Sequence, residues 1–345
     1  MCTEGGIGSR VSIKDIARAA GVSHPTVSRA LRGDPRISAE TAERIRDLSN
    51  EMGYSPSAVA RGLRTRRTRA VGLVVTTIAD PFVADVVDGV EHTALEHGYS
   101  LILATSRSDP ERELAVVRLL DERRVDGVIV AASRLGALYE PHLATMGLPI
   151  VLINNQAESE YLYSVSIDDI KGAFIAVSHL ARVGHRAIGY VGCPARPRSH
   201  QHRQQGYRQA LARAGLAPCR RWLVVDDGIA DDVERGMLGM RRLLSIEERP
   251  TAVFCYNDMT AVGALNEVKR WGLGVPDDVS LAGFDDIREA SLVTPPLTTI
   301  RQPRFAMGQE AMTMLLRLLD GEAVHNVVFP PRLIPRGSVS SPADG

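Results

Sequence analysis

The sequence predicts a small all-α head followed by a large α/β body. Two helical patterns joined by a short turn lie near the start of the chain. From Ala70 onward, apolar runs typical of buried parallel strands alternate with helical stretches. The length of 345 residues suits two or three domains. Regular strand–helix alternation over this length favours open, doubly wound sheets with helices on both faces.

The head is predicted from a helix-turn-helix pattern. In the first helix, apolar residues from Ile13 to Ala20 share one stripe, and Gly21 follows where a left-handed residue ends a helix. Ser23 suits the N-cap of a second helix, and a third helix is expected over residues 39–52. Such a pair of helices places the second one in the major groove of DNA.

The body is predicted from eight apolar runs and the helical stretches between them. The runs predicted as strands are Val71–Val75, Leu101–Ala104, Gly127–Ala131, Ile150–Ile153, Ala187–Val191, Trp222–Val225, Ala252–Cys255 and Val279–Gly283. Helices are expected at roughly 83–97, 110–123, 169–183, 203–214, 231–245, 258–271 and 303–319. The strands divide into two sets, each of a size suited to one Rossmann-like subdomain.

Charge is distributed unevenly along a chain of zero net charge. Residues 1–70 carry 13 Lys and Arg against 7 Asp and Glu, whereas residues 71–345 carry 28 against 34. The head region therefore has a formal charge of +6 and the remainder −6. A basic head on an acidic body indicates a polyanion such as DNA as a partner.

Cysteine usage and hydropathy indicate a cytoplasmic protein without a metal site. Cys2, Cys193, Cys219 and Cys255 are scattered, with no Cys-x-x-Cys pair and no histidine at ligand spacing. The chain start lacks the layout of a signal peptide, and no apolar run approaches the ~20 residues that span a bilayer. We therefore expect no metal, no cofactor and no membrane association.

Two motifs resemble the LacI/GalR (lactose-repressor) family of transcriptional regulators. Residues 11–32 contain Asp-x-Ala, Gly-Val-Ser and Thr-Val-Ser-Arg, and residues 55–63 read Ser-Pro-Ser-Ala-Val-Ala-Arg followed by Leu63. The second motif is similar to the family's hinge helix, most of all to the hinge of its purine-repressor members. The resemblance covers residues 11 to about 338, and it implies a body like a type I periplasmic binding protein.

The resemblance also implies a domain organisation with three crossovers between two subdomains. We place the crossovers near 167–168, 298–299 and 329–330. The expected divisions are a disordered N-terminus (1–10), a helix-turn-helix domain (11–54), a hinge (55–69), an effector-binding body (70–338) and a tail (339–345). Within the body, the N-subdomain comprises about 70–167 and 299–329, and the C-subdomain about 168–298 and 330–338.

The second helix of the head carries the candidate DNA contacts. The family's base-reading positions fall on His24, Pro25 and Arg29. Arg29 suits a bidentate contact to guanine, although a contact to phosphate remains the alternative. Residues placed for the DNA backbone, which position the head without reading sequence, are Ser23, Thr26, Ser28 and Arg32.

The hinge carries the candidate minor-groove contacts. Leu63 matches the family's wedge residue, and an apolar side chain among arginines suits insertion between base pairs. The full candidate set is Ser57, Ala58, Ala60, Arg61, Leu63 and Arg64. Two alternatives stay open: a flexible basic linker, and a Leu63 that packs against the body.

The resemblance places an effector site in the cleft between the subdomains. Its candidate residues are Asp80, Phe82, Asn154, Asp168, Arg203, Asn257 and Asp285. Without a ligand, we expect Arg203 to pair with Asp285, or with Asp80 or Asp168. Asp80 stands where the family usually has asparagine. A neutral sugar, a sugar acid and another small polar metabolite all remain open, and His200 and His202 could suit an anion.

The sequence thus predicts a DNA-binding transcriptional regulator, a repressor, that acts as a homodimer on a pseudo-palindromic operator. A small polar effector would modulate its operator affinity. The alternative is a periplasmic-type binding protein without a transcriptional role, and a third possibility is a regulator whose cleft has lost its ligand. An enzyme is not expected, because the serine-elbow, P-loop, zinc-protease and dinucleotide-binding motifs are all absent from the sequence.

Overall fold

The computed structural model describes residues 11–54, 67–135, 147–157, 163–226, 228 and 231–342. The chain divides into two compact units, Met1–Thr68 and Arg69–Gly345. The described part of the first unit contains three helices: α1 (Ile13–Ala20), α2 (His24–Ala30) and α3 (Ala39–Glu51). This confirms the all-α head.

The ends of the head helices follow from local chemistry. The Asp15 carboxylate accepts hydrogen bonds from the backbone N and Oγ of Ser12 at 3.0 and 2.7 Å, which fixes the start of α1. Gly21 ends α1 with a φ of 63°. Ser23 and Ser38 cap α2 and α3 through their hydroxyls. Between the helices, apolar side chains form one core, whose fully buried members are Ile16, Val27, Ala30 and Ile45.

The second unit alternates strands and helices, in chain order β1 (Ala70–Val75), α4 (Pro81–Glu96), β2 (Ser100–Thr105), α5 (Pro110–Glu122), β3 (Gly127–Ala131), β4 (Ile150–Ile153), β5 (Ser164–Ile167), α6 (Asp169–Val183), β6 (Ile188–Val191), α7 (Pro197–Arg213), β7 (Leu223–Val224), α8 (Asp232–Leu244), β8 (Ala252–Cys255), α9 (Asp258–Arg270), β9 (Ser280–Ala282), α10 (Arg288–Leu292), β10 (Thr299–Arg301), α11 (Arg304–Leu319), β11 (Val327–Phe329) and β12 (Arg332–Ile334). The alternation confirms the α/β body.

These elements form two lobes, each built on a parallel sheet. The first lobe has a six-stranded sheet in the order β11-β5-β4-β3-β1-β2, and the second has a four-stranded sheet in the order β7-β6-β8-β9. The antiparallel pair β10-β12 packs on α6 in the second lobe, whereas α11 packs on α4 in the first. The chain therefore crosses between the lobes three times: after β5, after β10 and after β11.

Several elements differ from the sequence-based expectation. Four strands, β5, β10, β11 and β12, and the short helix α10 were not predicted. The run 222–225 begins with a 3₁₀ turn at Arg220–Trp222, which leaves only Leu223 and Val224 in strand β7. Helix α7 begins at Pro197, six residues before the expected start at 203. Its first turns are polar, so apolar periodicity does not reveal them, and proline is well tolerated at a helix start.

Candidate effector cleft and DNA-recognition helix

Helix α2 buries one face and exposes the residues predicted to read bases. Val27 and Ala30 are fully buried, whereas His24, Pro25 and Arg29 are exposed. At 100° per residue these three positions lie within about 140° of one another, so one groove can accommodate them together.

The predicted backbone-contact residues flank that exposed face. Ser23 and Arg32 are exposed, and Thr26 and Ser28 are half-buried. The Ser23 Oγ lies 2.8 Å from the Thr26 Oγ1, so both hydroxyls also serve the helix cap. The predicted hinge contacts, Ser57, Ala58, Ala60, Arg61, Leu63 and Arg64, lie outside the described residues, and the roles of both sets stay predictions.

A cleft lies between the two lobes of the body, at the carboxyl ends of both parallel sheets, where doubly wound folds bind ligands. The empty space in it is about 520 Å³, including the part open to solvent. The lining residues are Thr76, Asp80, Phe82, Val83, Ala131, Ala132, Asn154, Gln156, Asp169, Arg196, Ser199, Arg203, Tyr256, Asp285 and Gln302.

Five of the seven predicted effector residues line this cleft: Asp80, Phe82, Asn154, Arg203 and Asp285. Asp168 and Asn257 do not, because their side chains cap helices instead. The Asp168 carboxylate accepts from the backbone N of Lys171 at 2.9 Å. Asn257 accepts from the backbone N of Thr260 at 2.9 Å and donates to Asp232 at 2.7 Å.

Arg203 is the most enclosed cation of the cleft. Its Nε donates to Asp169 at 2.7 Å and its Nη1 to the Tyr256 carbonyl at 2.6 Å, whereas Asp285 lies 3.8 Å from Nη2. The nearer carboxylate is thus Asp169, which was not among the expected partners. The guanidinium also lies 3.7 Å from the centroid of the Phe284 ring. Burial disfavours the charged form, but the surrounding carboxylates raise the pKa of Arg203 above its ordinary value.

Asp285 orients two amides that connect the lobes. Its Oδ1 accepts from the Gln302 Nε2 at 2.6 Å, and the Gln302 Oε1 accepts from the Asn154 Nδ2 at 3.2 Å. A carboxylate only accepts, so it turns the Gln302 amide nitrogen towards itself and the oxygen towards Asn154. The buried Asn154 Oδ1 is then left without a hydrogen-bond partner among the described residues. Burial raises the pKa of Asp285 to about 6, although nearby Arg203 opposes the shift.

Arg196 is the main cleft residue that sequence reasoning missed. Its Nη2 lies 3.2 Å from Asp80 and its Nη1 lies 3.1 Å from Asp232. Burial favours the neutral form, but Asp232 and Asp80 raise the pKa of the Arg196 guanidinium well above its ordinary value.

A hydroxyl network completes the second wall of the cleft. The Ser199 Oγ lies 2.6 Å from the Tyr256 hydroxyl and donates to Gln156 at 2.9 Å. Sequence reasoning missed these residues as well, together with Thr76, Asp169 and Gln302. Tyr256 could have been predicted from the sequence, because it directly follows the predicted strand 252–255. His200 lies against the buried Tyr190, with its Nδ1 3.2 Å from that hydroxyl, and does not line the cleft.

The described part of the chain holds no metal-binding cluster, no disulfide and no membrane-spanning helix. No group of three or more His, Cys, Asp and Glu side chains there could hold a metal ion. Cys193, Cys219 and Cys255 are free thiols. Within the same residues, no helix is both long and apolar enough to cross a membrane.

Comparison with known families matches both parts of the chain. The family described as "Bacterial regulatory proteins, lacI family" matches residues 12–57, and "Periplasmic binding protein-like domain" matches residues 177–339. The HTH-type transcriptional repressor CytR of Escherichia coli (strain K12) is 36% identical over 313 residues, 91% of each chain. The HTH-type transcriptional repressor PurR of Edwardsiella ictaluri is 35% identical over 338 residues, 97% of each chain.

Solved structures agree with this assignment. The lac repressor dimer bound to operator and the anti-inducer ONPF has a TM-score of 0.87 at 28% identity, covering 96% of this chain and 100% of that one. The complex of the transcriptional regulator CelR with cellobiose has a TM-score of 0.71 at 31% identity, with the same coverage. The chain belongs to the LacI family of bacterial regulatory proteins, and it is a helix-turn-helix transcriptional regulator rather than an enzyme.

Proposed function

We propose that this chain is a cytoplasmic transcriptional repressor that binds a pseudo-palindromic DNA operator as a homodimer. A small polar effector in the cleft sets its affinity for the operator. The observation that carries the proposal is the division of α2 into a buried face, with Val27 and Ala30, and an exposed face, with His24, Pro25 and Arg29. A periplasmic-type binding protein would have no use for such a helix. The boundaries at 54, 69 and 338 given above are part of the proposal.

The DNA contacts divide into two kinds. Arg29 reads a guanine edge in the major groove, assisted by His24 and Pro25, and Ser23, Thr26, Ser28 and Arg32 hold the phosphates. Leu63 and its basic neighbours enter the minor groove and kink the operator. When one head of a dimer is bound to its half-site, the second head is held at a high effective concentration near the other half-site. A single head lacks this gain in affinity.

The effector acts through the two lobes together. Asp80 and Asn154 belong to the first lobe, and Arg203 and Asp285 to the second, so a ligand that contacts all four links the lobes. The ligand can change operator affinity by no more than the difference between its affinities for the two arrangements of the lobes. The coupling free energy between two such sites is typically ~1–3 kcal/mol. Two related regulators carry neutral sugars in their solved structures, cellobiose in CelR and ribose in a LacI-family regulator from Enterococcus faecium.

The first lobe offers a surface for the homodimer. Strand β2 lies at the edge of the six-stranded sheet, and its apolar residues Ile102 and Leu103 are 40% and 43% exposed. An exposed apolar edge strand invites pairing with another chain, and a second copy is the natural partner because the lac repressor neighbour is a dimer.

Selection of operators from a random DNA library by the full-length protein tests the DNA-binding proposal. The wild type is expected to select a pseudo-palindrome. Arg29→Ala should bind the selected sequence about 1–3 kcal/mol more weakly and lose its preference at one base pair per half-site. Arg46→Ala, which removes an exposed arginine from α3, is the matched control. Unchanged base preference in Arg29→Ala would assign Arg29 to phosphate contact instead.

A further inference from the structure

Three charged side chains form an ion-pair chain that joins the two lobes. Asp80 caps α4 in the first lobe, whereas Arg196 precedes α7 and Asp232 begins α8 in the second. Arg196 lies 3.2 Å from Asp80 and 3.1 Å from Asp232, and the three side chains are between 15% and 29% exposed. A neighbouring hydrogen bond also joins the two lobes, because the Arg134 Nη2 of the first lobe donates to the Ala195 carbonyl of the second at 2.6 Å. The lobes are thus bridged directly by protein groups.

The carboxylates account for the position of Arg196. The N-terminus of a helix carries partial positive charge, which favours the Asp80 and Asp232 carboxylates but disfavours a guanidinium at the start of α7. Arg196 therefore depends on its two partners, and each arm of its guanidinium is committed to one of them. Asp80 supplies the first of those two charges and Asp232 the second.

The remaining polar groups of the cleft leave little room for an anion. Arg203, the other cation among the described lining residues, is committed to Asp169 and the Tyr256 carbonyl. Among the described lining residues, three carboxylates, those of Asp80, Asp169 and Asp285, face two guanidinium groups. Among the lining residues that the structure describes, the buried side-chain atom without a hydrogen-bond partner is an acceptor, the Asn154 Oδ1. A ligand that donates hydrogen bonds satisfies this atom, whereas an anion must break an existing pair and face the surplus negative charge.

We propose that the Asp80–Arg196–Asp232 chain determines specificity in the cleft, restricting the effector to an uncharged molecule that carries O–H or N–H donors. Sugar acids and phosphorylated sugars are excluded, because they would take Arg196 from Asp80 and break this ion-pair link between the lobes. An uncharged ligand leaves that link intact and adds contacts to both lobes. The inference deepens the proposed function and rests on its assignment of the cleft as the effector site.

Asp80→Asn is the sharpest variant, because asparagine keeps the N-cap of α4 but removes the charge that holds one arm of Arg196. Arg196→Lys is a second variant, which keeps the positive charge but loses the two-armed geometry. Asp109→Asn is the matched control: Asp109 also caps a first-lobe helix and also precedes a proline, but it is exposed and outside the cleft lining.

The probes are uncharged compounds paired with their anionic derivatives: ribose with ribose 5-phosphate, glucose with glucuronate, cellobiose with cellobionate, and uridine with its monophosphate. Thermal unfolding of the full chain identifies binding, and calorimetry gives Kd. Wild type and Asp109→Asn should bind an uncharged member at least about tenfold more tightly than its anionic partner. Asp80→Asn and Arg196→Lys should each reduce that ratio by about tenfold, which corresponds to about 1.4 kcal/mol.

Three results would overturn the inference: tighter binding of an anion than of its uncharged partner by wild type, an unchanged ratio in both variants, or no binding of any uncharged member. Operator titration with each bound compound separates this inference from the proposed function. An uncharged ligand that binds without changing operator affinity would refute the effector role, yet leave the specificity assignment standing.

Discussion

Replacing Arg203 by methionine tests whether the second-lobe wall of the cleft depends on one buried cation. Methionine keeps an apolar stem against the Phe284 ring but leaves Asp169 and Asp285 without their guanidinium. It also removes the donor from the Tyr256 carbonyl. These carboxylates cannot turn to bulk water, because their side chains are only 12% and 9% exposed.

The expected loss of stability follows from that burial. Removal of one partner from a buried ion pair typically costs about 3–5 kcal/mol, since a buried charge remains unpaired. For a body of this size, the loss corresponds to a fall in Tm of roughly 6–15 °C. Arg317→Met is the control, because its pair with Glu322 is about half exposed on both sides and should contribute less than about 1 kcal/mol.

Urea unfolding of the full chain, monitored by circular dichroism, gives the free energy of unfolding of both variants. Calorimetry gives their Tm. Adding Asp169→Asn to Arg203→Met should recover about 1 kcal/mol or more, because it removes one of the unpaired charges. The deficit should also shrink as pH falls towards about 6, because Asp285 without the opposing charge of Arg203 is protonated at higher pH than in the wild type, where its pKa is about 6. A free energy of unfolding for Arg203→Met within about 1 kcal/mol of that for Arg317→Met would refute this account.

Three further predictions concern pH, DNA bending and salt. The pKa of Asp285 in the folded chain, about 6, lies above its ordinary value of 3.8, so the native state binds more protons between these pH values. The contribution of Asp285 to the free energy of unfolding therefore falls as pH rises through that window. Asp285→Asn should flatten the slope of unfolding free energy against pH, and a slope equal to that of the wild type would contradict the raised pKa of Asp285. Leu63→Ala should weaken operator binding and reduce bending in a circular-permutation gel assay, whereas wild-type bending would exclude the wedge role. Operator affinity should fall steeply between about 50 and about 200 mM salt, with a log–log slope of about −0.9 per neutralised phosphate, and a flat dependence would be incompatible with a basic head.

The sequence by itself determined the parts of this protein that depend on neighbouring residues. Ser23 and Ser38 cap the helices they precede, and Gly21 ends α1, because caps and left-handed turns require particular side chains within a few positions. The apolar runs were recognisable for a similar reason, since a strand buried on both faces needs consecutive apolar residues. The head, the α/β body and the family membership could therefore be predicted from the sequence.

Only the tertiary structure decided which polar side chains meet in the cleft. Asp80 and Arg196 are 116 positions apart, and Asn154 and Gln302 are 148 apart, so no local pattern reveals either contact. Asp168 is the opposite case. Its position at the end of a strand predicted that it would line the cleft, whereas its carboxylate caps α6 instead. Burial likewise exists only after folding, and it raises the pKa of Asp285 to about 6. Charge pairing and desolvation depend on distances through space, and the fold alone sets those distances.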